Sequence, residues 1–128
     1  MPAAPARPAG VLVVDDQPLI RQLLVLGLTG CGFAAWAAGG CAEAVEALRA
    51  RPGEIDAALI DVRMPGAGGL ETMAALRAVK PGLPCCLMTG HAEDRDALLA
   101  AGADGVLPKP FTPNQAAEAL REMLAGRG

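Results

Sequence analysis

The sequence predicts an α/β protein whose parallel sheet is wrapped by helices on both faces. Two observations predict it. Five short apolar runs alternate with five longer segments of helical period, and isolated polar residues stand where four of the apolar runs stop. Continuous apolar runs are the pattern of strands buried on both faces. Regular alternation with helical segments is the pattern of βαβ units, whose right-handed crossovers leave few topologies.

The first run, Val11-Leu12-Val13-Val14, ends abruptly at Asp15-Asp16. Pro18 suits the first turn of a helix, and Leu19, Leu23 and Leu26, with Ile20 and Leu24, then repeat at helical spacing until Gly30 or Gly32 stops them. Residues 33–38 form a weaker strand carrying Trp36, followed by a helix over 42–51 that Pro52-Gly53 ends. Ala57-Ala58-Leu59-Ile60 is the third strand and stops at Asp61. Residues 63–69 hold too much Gly and Pro for regular structure, so the next helix is placed over 70–79, before Pro81-Gly82. Cys85-Cys86-Leu87-Met88 runs into Thr89-Gly90, a short helix covers 93–101, and Gly105-Val106-Leu107 leads to Lys109-Pro110. The last helix has the clearest start: Thr112, Pro113 and Gln115 read as an N-cap, a first-turn proline and the far half of a capping box. Its inner face is Ala116, Ala119, Leu120, Met123 and Leu124.

Ligands of open α/β sheets sit beyond the carboxyl ends of the strands. Asp15 and Asp16, Asp61, Thr89 and Lys109 end four different strands, so the topology brings them to one edge. Two carboxylates about 4 Å apart repel by about 4 kcal/mol at an effective dielectric of 20. Three of them therefore call for a positive partner. Hard carboxylate oxygens with few other ligands suit Mg2+, which keeps waters and takes phosphate as a partner. Lys109 adds a fixed positive charge and Thr89 a hydroxyl donor. Such a site is built for a transferring phosphoryl group, with a carboxylate as nucleophile.

Composition narrows the class further. The 128 residues are 52% hydrophobic but only 2% aromatic, so Ala, Val, Leu, Ile and Met must build the core. That length suits one domain. A net charge of −3 argues against a direct nucleic-acid or anionic-membrane surface. No apolar segment is long enough to span a bilayer, and a cytoplasmic location follows as the default. Cys31, Cys41, Cys85 and Cys86 form no CxxC pair and His91 is the single histidine, so the thiols read as packing residues. Residues 1–9 read as a disordered lead, 10–125 as the domain and 126–128 as a frayed end.

The segments Val-Val-Asp-Asp-Gln-Pro (13–18), Leu-Ile-Asp-Val-Arg-Met-Pro-Gly (59–66), Met-Thr-Gly-His-Ala (88–92) and Lys-Pro-Phe (109–111), in this order and spacing, resemble the receiver domains of two-component response regulators. The resemblance covers about residues 10–124. It implies a flavodoxin-like fold with strand order 2-1-3-4-5, a cis Lys109–Pro110 bond, and Asp61 as acceptor of a phosphoryl group from a histidine kinase or phosphotransfer protein. It further implies Mg2+ held by Asp16, Asp61 and the Arg63 backbone carbonyl, with Asp15 acting chiefly through water. Lys109 would contact the phosphoryl group and Thr89 would swing to it, while Arg63 and His91 stand at the rim and tune hydrolysis. The protein would be a phosphoacceptor that assists its own phosphorylation and dephosphorylation rather than a turnover enzyme. Its output would be a changed surface on the last two helices and fifth strand, offered to a downstream protein or a second copy. It would be a stand-alone receiver or part of a longer regulator.

Three positions depart from the family pattern. Val106 stands where an aromatic ring is common, Gly68 where an acid is common, and Ala67 replaces a bulkier residue. Those departures keep a phosphorylation-independent scaffold as the alternative. A flavodoxin-like cofactor carrier fits less well, because Asp15-Asp16 replaces a phosphate-cradling loop and the chain has no Tyr, one Trp and two Phe. An aspartate-nucleophile phosphohydrolase would want an acid two residues after Asp61, where Arg63 stands.

Overall fold

The computed structural model describes residues 7–126. Five parallel strands, β1 (Gly10–Val14), β2 (Ala34–Ala38), β3 (Ala57–Asp61), β4 (Cys85–Thr89) and β5 (Gly105–Pro108), form one sheet in the order β2-β1-β3-β4-β5. The helices between and after them are α1 (Pro18–Gly30), α2 (Cys41–Ala50), α3 (Gly69–Val79), α4 (Arg95–Ala100) and α5 (Pro113–Ala125). This is the flavodoxin-like order that the family resemblance implies. The expected elements are all present, with ends shifted by a residue or two. The largest shift is at the fourth helix, where Ala92–Asp94 is a 3-10 turn and α4 begins only at Arg95.

The alternation of side chains along each strand divides the core in two. Val11, Val13, Leu59, Met88 and Leu107 face α1 and α5, while Leu12, Val14, Ile60, Leu87 and Val106 face α2, α3 and α4. Aliphatic and sulfur-bearing side chains fill both layers, with Phe33 at the margin of the first. Trp36 packs half-buried on the second and lies under the Arg51 guanidinium, 5.3 Å from the ring centroid. Cys85 and Cys86 are buried free thiols, and burial pushes the Cys86 thiol up to about 12, which leaves it unreactive.

Local signals explain the helix ends. The Thr112 side chain accepts from the Gln115 N–H at 3.1 Å while the Gln115 side chain accepts from the Thr112 N–H at 2.8 Å, the full capping box. Beyond α1, Gly32 takes φ +96°, a left-handed conformation that a side chain would strain. On α5 the buried face is Ala116, Ala117, Leu120 and Met123, with Ala119 and Leu124 only partly covered. On α1 the helical spacing is as expected but the inward face is not the whole leucine set. Leu24 and Leu28 are buried, whereas Leu19, Leu23 and Leu26 point to solvent.

Of the segment expected to be a disordered lead, residues 1–6 lie outside the described residues, as do 127 and 128 of the expected frayed end. Arg7 is placed: its guanidinium donates to both Asp56 carboxylate oxygens at 2.7 and 2.8 Å. Asp56 also accepts from the Gly10 N–H at 2.7 Å, at the very start of β1. The Arg7 hydrogen bond first, then the Gly10 N–H, hold the Asp56 carboxyl below the usual carboxylate range. A depressed folded-state value means that the stabilisation is complete above the ordinary Asp value and is lost as the pH falls through the folded one. Arg7 is solvent-facing and screened, so its share of the stabilisation is discounted. Asp56→Ala is expected to cost about 1.5 kcal/mol near pH 7. Thermal melts of the two proteins should converge as the pH falls below about 4. A gap independent of pH would assign the loss to packing instead.

Candidate functional site

The sheet topology delivers the polar strand ends to one place. β1 and β3 are neighbours at the centre, so the acids that follow Val14 and Ile60, residues paired in register, stand side by side. β4 and β5 follow on the other flank and bring Thr89 and Lys109, with Thr89 paired to Pro108. The Lys109 N–H donates to the Thr89 carbonyl at 2.7 Å and the Lys109–Pro110 bond is cis, as the resemblance implies.

Asp15, Asp16 and Asp61 each present a carboxylate oxygen, and these oxygens lie within 4.8 Å of one another. Lys109 Nζ sits 3.3 Å from Asp61 Oδ1, which also accepts from the Arg63 N–H at 3.2 Å. Asp61 is nearly enclosed and Asp15 wholly so, while Asp16 is half-buried. Asp15 is fixed from both sides. Its N–H donates to the Ala38 carbonyl, its carbonyl accepts from Arg21 at 2.8 Å, and its Oδ1 accepts from the Gln17 N–H at 2.9 Å.

Asp15 Oδ2 is buried with no hydrogen-bond partner. Loss of hydration pushes the Asp15 carboxyl up, the Gln17 N–H works against that, and the neighbouring Asp61 raises it further. A buried oxygen without a donor, inside a triad of acids, is a costly arrangement for the protein by itself. It fits a hard divalent cation, which supplies the missing positive charge and tolerates a mixed shell of carboxylates and water. The residues to hold it are Asp15, Asp16 and Asp61, and Arg63 lies beside them, its amide bonded to Asp61 Oδ1.

Thr89 is buried and engaged locally. Its Oγ1 accepts from the His91 N–H at 3.0 Å and donates to the His91 carbonyl at 3.3 Å. His91 stands half-exposed on the rim, Nδ1 3.4 Å from Glu93, whose carboxyl its own backbone hydrogen bond and then the imidazole hold down. The structure therefore brings Asp15, Asp16, Asp61 and Lys109 together. Thr89 is on the same edge, held away in a turn of its own. Sequence reading missed two contributors. Gln17 supplies the N–H that orients Asp15, and Arg21 clamps the Asp15 carbonyl from the first turn of α1. The Gln17 contact runs through its backbone, which no side-chain pattern signals.

Comparison with known proteins agrees with this geometry. The profile of the response regulator receiver domain matches residues 11–121. The probable transcriptional regulatory protein TcrX of Mycobacterium tuberculosis is 37% identical over 131 residues, covering all of this chain and 55% of TcrX. The chain thus spans about half the length of that curated relative. Among solved structures, the chemotaxis protein CheY4 of Vibrio cholerae superposes with a TM-score of 0.81 at 30% identity, over 91% of this chain and 98% of that one. The response regulator TrrA of Thermotoga maritima, solved in complex with Mg2+ and a beryllium fluoride, gives 0.77 at 30% identity over 90% and 98%. Among the described residues no helix is long and apolar enough to cross a membrane.

Proposed function

Because the chain belongs to the response regulator receiver domain family, we propose that it is the phosphoacceptor module of a two-component pathway, modified on Asp61. One observation carries the reading: the nearly enclosed Asp61 carboxylate lies 3.3 Å from Lys109 Nζ inside a cluster of three acids. A histidine kinase or a phosphotransfer protein is the donor. An Asp61 oxygen attacks phosphorus, and the phosphorus–nitrogen bond to the donor imidazole breaks as the acyl phosphate forms. Lys109 meets the negative charge that arrives with the phosphoryl oxygens, so part of the electrostatic work is done before the donor approaches. Asp15, Asp16, Asp61 and the Arg63 carbonyl are the proposed Mg2+ ligands, Asp15 through water. Held there, the ion would neutralise charge at the acids and on the incoming phosphoryl group.

Thr89 must exchange its bonds to His91 for one to the phosphoryl group. That exchange is the proposed trigger, with Arg63 and His91 at the rim controlling access of water. Val106 offers no ring to rotate inward. The signal therefore travels through backbone, from Thr89 through the Lys109 N–H into β5 and the surfaces of α4 and α5. The partner there is a downstream protein or a second copy. The domain is a signalling module rather than a turnover enzyme, placed in the cytoplasm with its donor, and binds no nucleic acid or membrane itself.

Intact-mass spectrometry after incubation with acetyl phosphate tests the chemistry. Wild type with Mg2+ is expected to gain one phosphoryl adduct, and chelation or Asp61→Asn to remove it. A folded, Mg2+-binding wild type that takes no phosphoryl group from acetyl phosphate or from a kinase would leave the scaffold reading in its place.

A further inference from the structure

Asp15 and Asp16 reach the acid edge on the short segment between β1 and α1, and they are held in different ways. Asp15 is tied by its own amide to the Ala38 carbonyl at 3.1 Å and by its Oδ1 to the Gln17 N–H. Among the described residues no donor meets the Asp16 carboxylate, so the backbone on either side of it sets its direction. One residue holds both sides. The Arg21 N–H donates to the Gln17 carbonyl at 3.1 Å, and the Arg21 guanidinium donates to the Asp15 carbonyl at 2.8 Å. Arg21 is half-buried and is the single charged residue of α1. Its guanidinium lies over Gly39, the first residue after β2, where a Cβ would stand 3.3 Å from Arg21 Nη1 and 3.3 Å from Glu43 Oε1. Glu43 is fixed in turn, its Oε2 accepting from the Gly39 N–H at 3.0 Å.

We propose that Arg21 is a positioning residue for the Mg2+ site, a role that rests on the function proposed above. It aims the Asp15 and Asp16 carboxylates at Asp61 and touches neither the ion nor the phosphoryl group. A hydrogen bond from a charged donor is about twice as strong as a neutral one, and half-burial shields this one from competing water. Ligands held in place before the ion arrives lose less freedom when they bind it, so the segment 15–17 is set in advance. The charge of Arg21 acts the other way. A cation near three acids competes with Mg2+, so a purely electrostatic role would make its removal tighten binding. Glu43 beside the guanidinium offsets part of that charge and leaves the hydrogen bond as the larger effect. Positioning and charge thus predict opposite signs.

Titration calorimetry of the full chain with magnesium chloride, well below the melting transition, reads the affinity of the folded protein. Arg21→Met is expected to weaken Mg2+ binding at least about 10-fold. Arg21→Lys keeps a donor for the single carbonyl and should recover most of that loss. Gly39→Ala, whose methyl would crowd the guanidinium, should weaken binding in the same direction by less. Lys80→Met is the control. Lys80 Nζ donates to the Pro52 and Ile55 carbonyls at 2.7 and 2.6 Å, a clamp of the same kind at the opposite edge of the sheet. Its loss should lower the melting temperature yet leave the Mg2+ affinity within about 2-fold of wild type. An unchanged or tighter affinity in Arg21→Met overturns the proposal. So does equal weakening in Lys80→Met, which would trace the loss to stability, or an Arg21→Lys that recovers nothing. Should Arg21→Met not fold, a Gly39→Ala with wild-type affinity overturns it equally. Wild type that binds no Mg2+ removes the proposed metal ligands and the role of Arg21 with them, whereas wild type and Arg21→Met that bind it alike remove only the latter.

Discussion

Asp15→Asn is expected to raise the thermal stability of the metal-free protein and to weaken its response to Mg2+. The wild-type carboxylate is wholly buried, its Oδ2 meets no donor, and two other acids lie within reach. Asparagine keeps the shape and keeps an oxygen for the Gln17 N–H, while its NH2 group turns a repelled oxygen into a donor toward the neighbouring acids. Removing one charge from such a triad is worth on the order of 2 kcal/mol after allowance for the attraction of Lys109. In a domain of this size that is about 7 °C in Tm. The proposed ion loses an outer-shell partner, and its affinity should fall about 10- to 100-fold.

The Asp15 carboxyl is pushed up by burial, so its charge destabilises the fold at any pH above its folded-state value. That penalty is relieved as the pH falls through that value toward the ordinary Asp range. The variant's advantage should be largest at neutral pH and shrink on acidification. Melting curves with and without Mg2+, taken across that range, measure all of it. A variant less stable than wild type at neutral pH would show that Asp15 makes a favourable contact the geometry does not contain.

Among the glycines of the described residues, Gly10→Ala is expected to be the most destabilising substitution to alanine. A Cβ there would stand 1.8 Å from the Glu54 carbonyl oxygen and 2.9 Å from the Trp36 ring. The oxygen belongs to backbone, so no side-chain rotation relieves the clash. The Gly10 N–H donates to Asp56 and its carbonyl accepts from the Asp56 N–H at 2.8 Å, which ties the start of β1 to the entry of β3. Moving either chain breaks those bonds at the middle of the sheet. Overpacking with a lost hydrogen bond costs about 3 kcal/mol or more, which corresponds to a fall of about 11 °C in Tm. Denaturant unfolding should show a lower midpoint with an unchanged slope. A shift under about 1 kcal/mol would mean that the Glu54 segment yields freely.

The site was largely legible before any coordinate. Asp15, Asp16, Asp61, Thr89 and Lys109 were readable because each ends an apolar run, and parallel strands expose their carboxyl ends on one side. What the sequence left open was how the residues stand toward each other. The Gln17 amide holds Asp15 Oδ1 and leaves Oδ2 buried without a partner, and Thr89 is held by a turn to the His91 backbone. Both are backbone contacts that carry no signal in residue type.

The sequence by itself determined the five-fold alternation of strand and helix, the capping box at Thr112, a stop of the first helix at Gly30 or Gly32, and the motif set that names the acid edge. These depend on neighbours within a turn, on a continuous apolar run or on a helical period, so a few residues suffice to state them. Only the tertiary structure decided which leucines of α1 go inward, that Arg7 anchors to Asp56, and that Gly10 touches Glu54. Helical spacing says which residues share a face but not which face meets the sheet. That choice is made by packing against other elements, here β2, which follows α1 directly, and α5, far along the chain, which share a core with Leu24 and Leu28 and leave Leu19, Leu23 and Leu26 to the solvent.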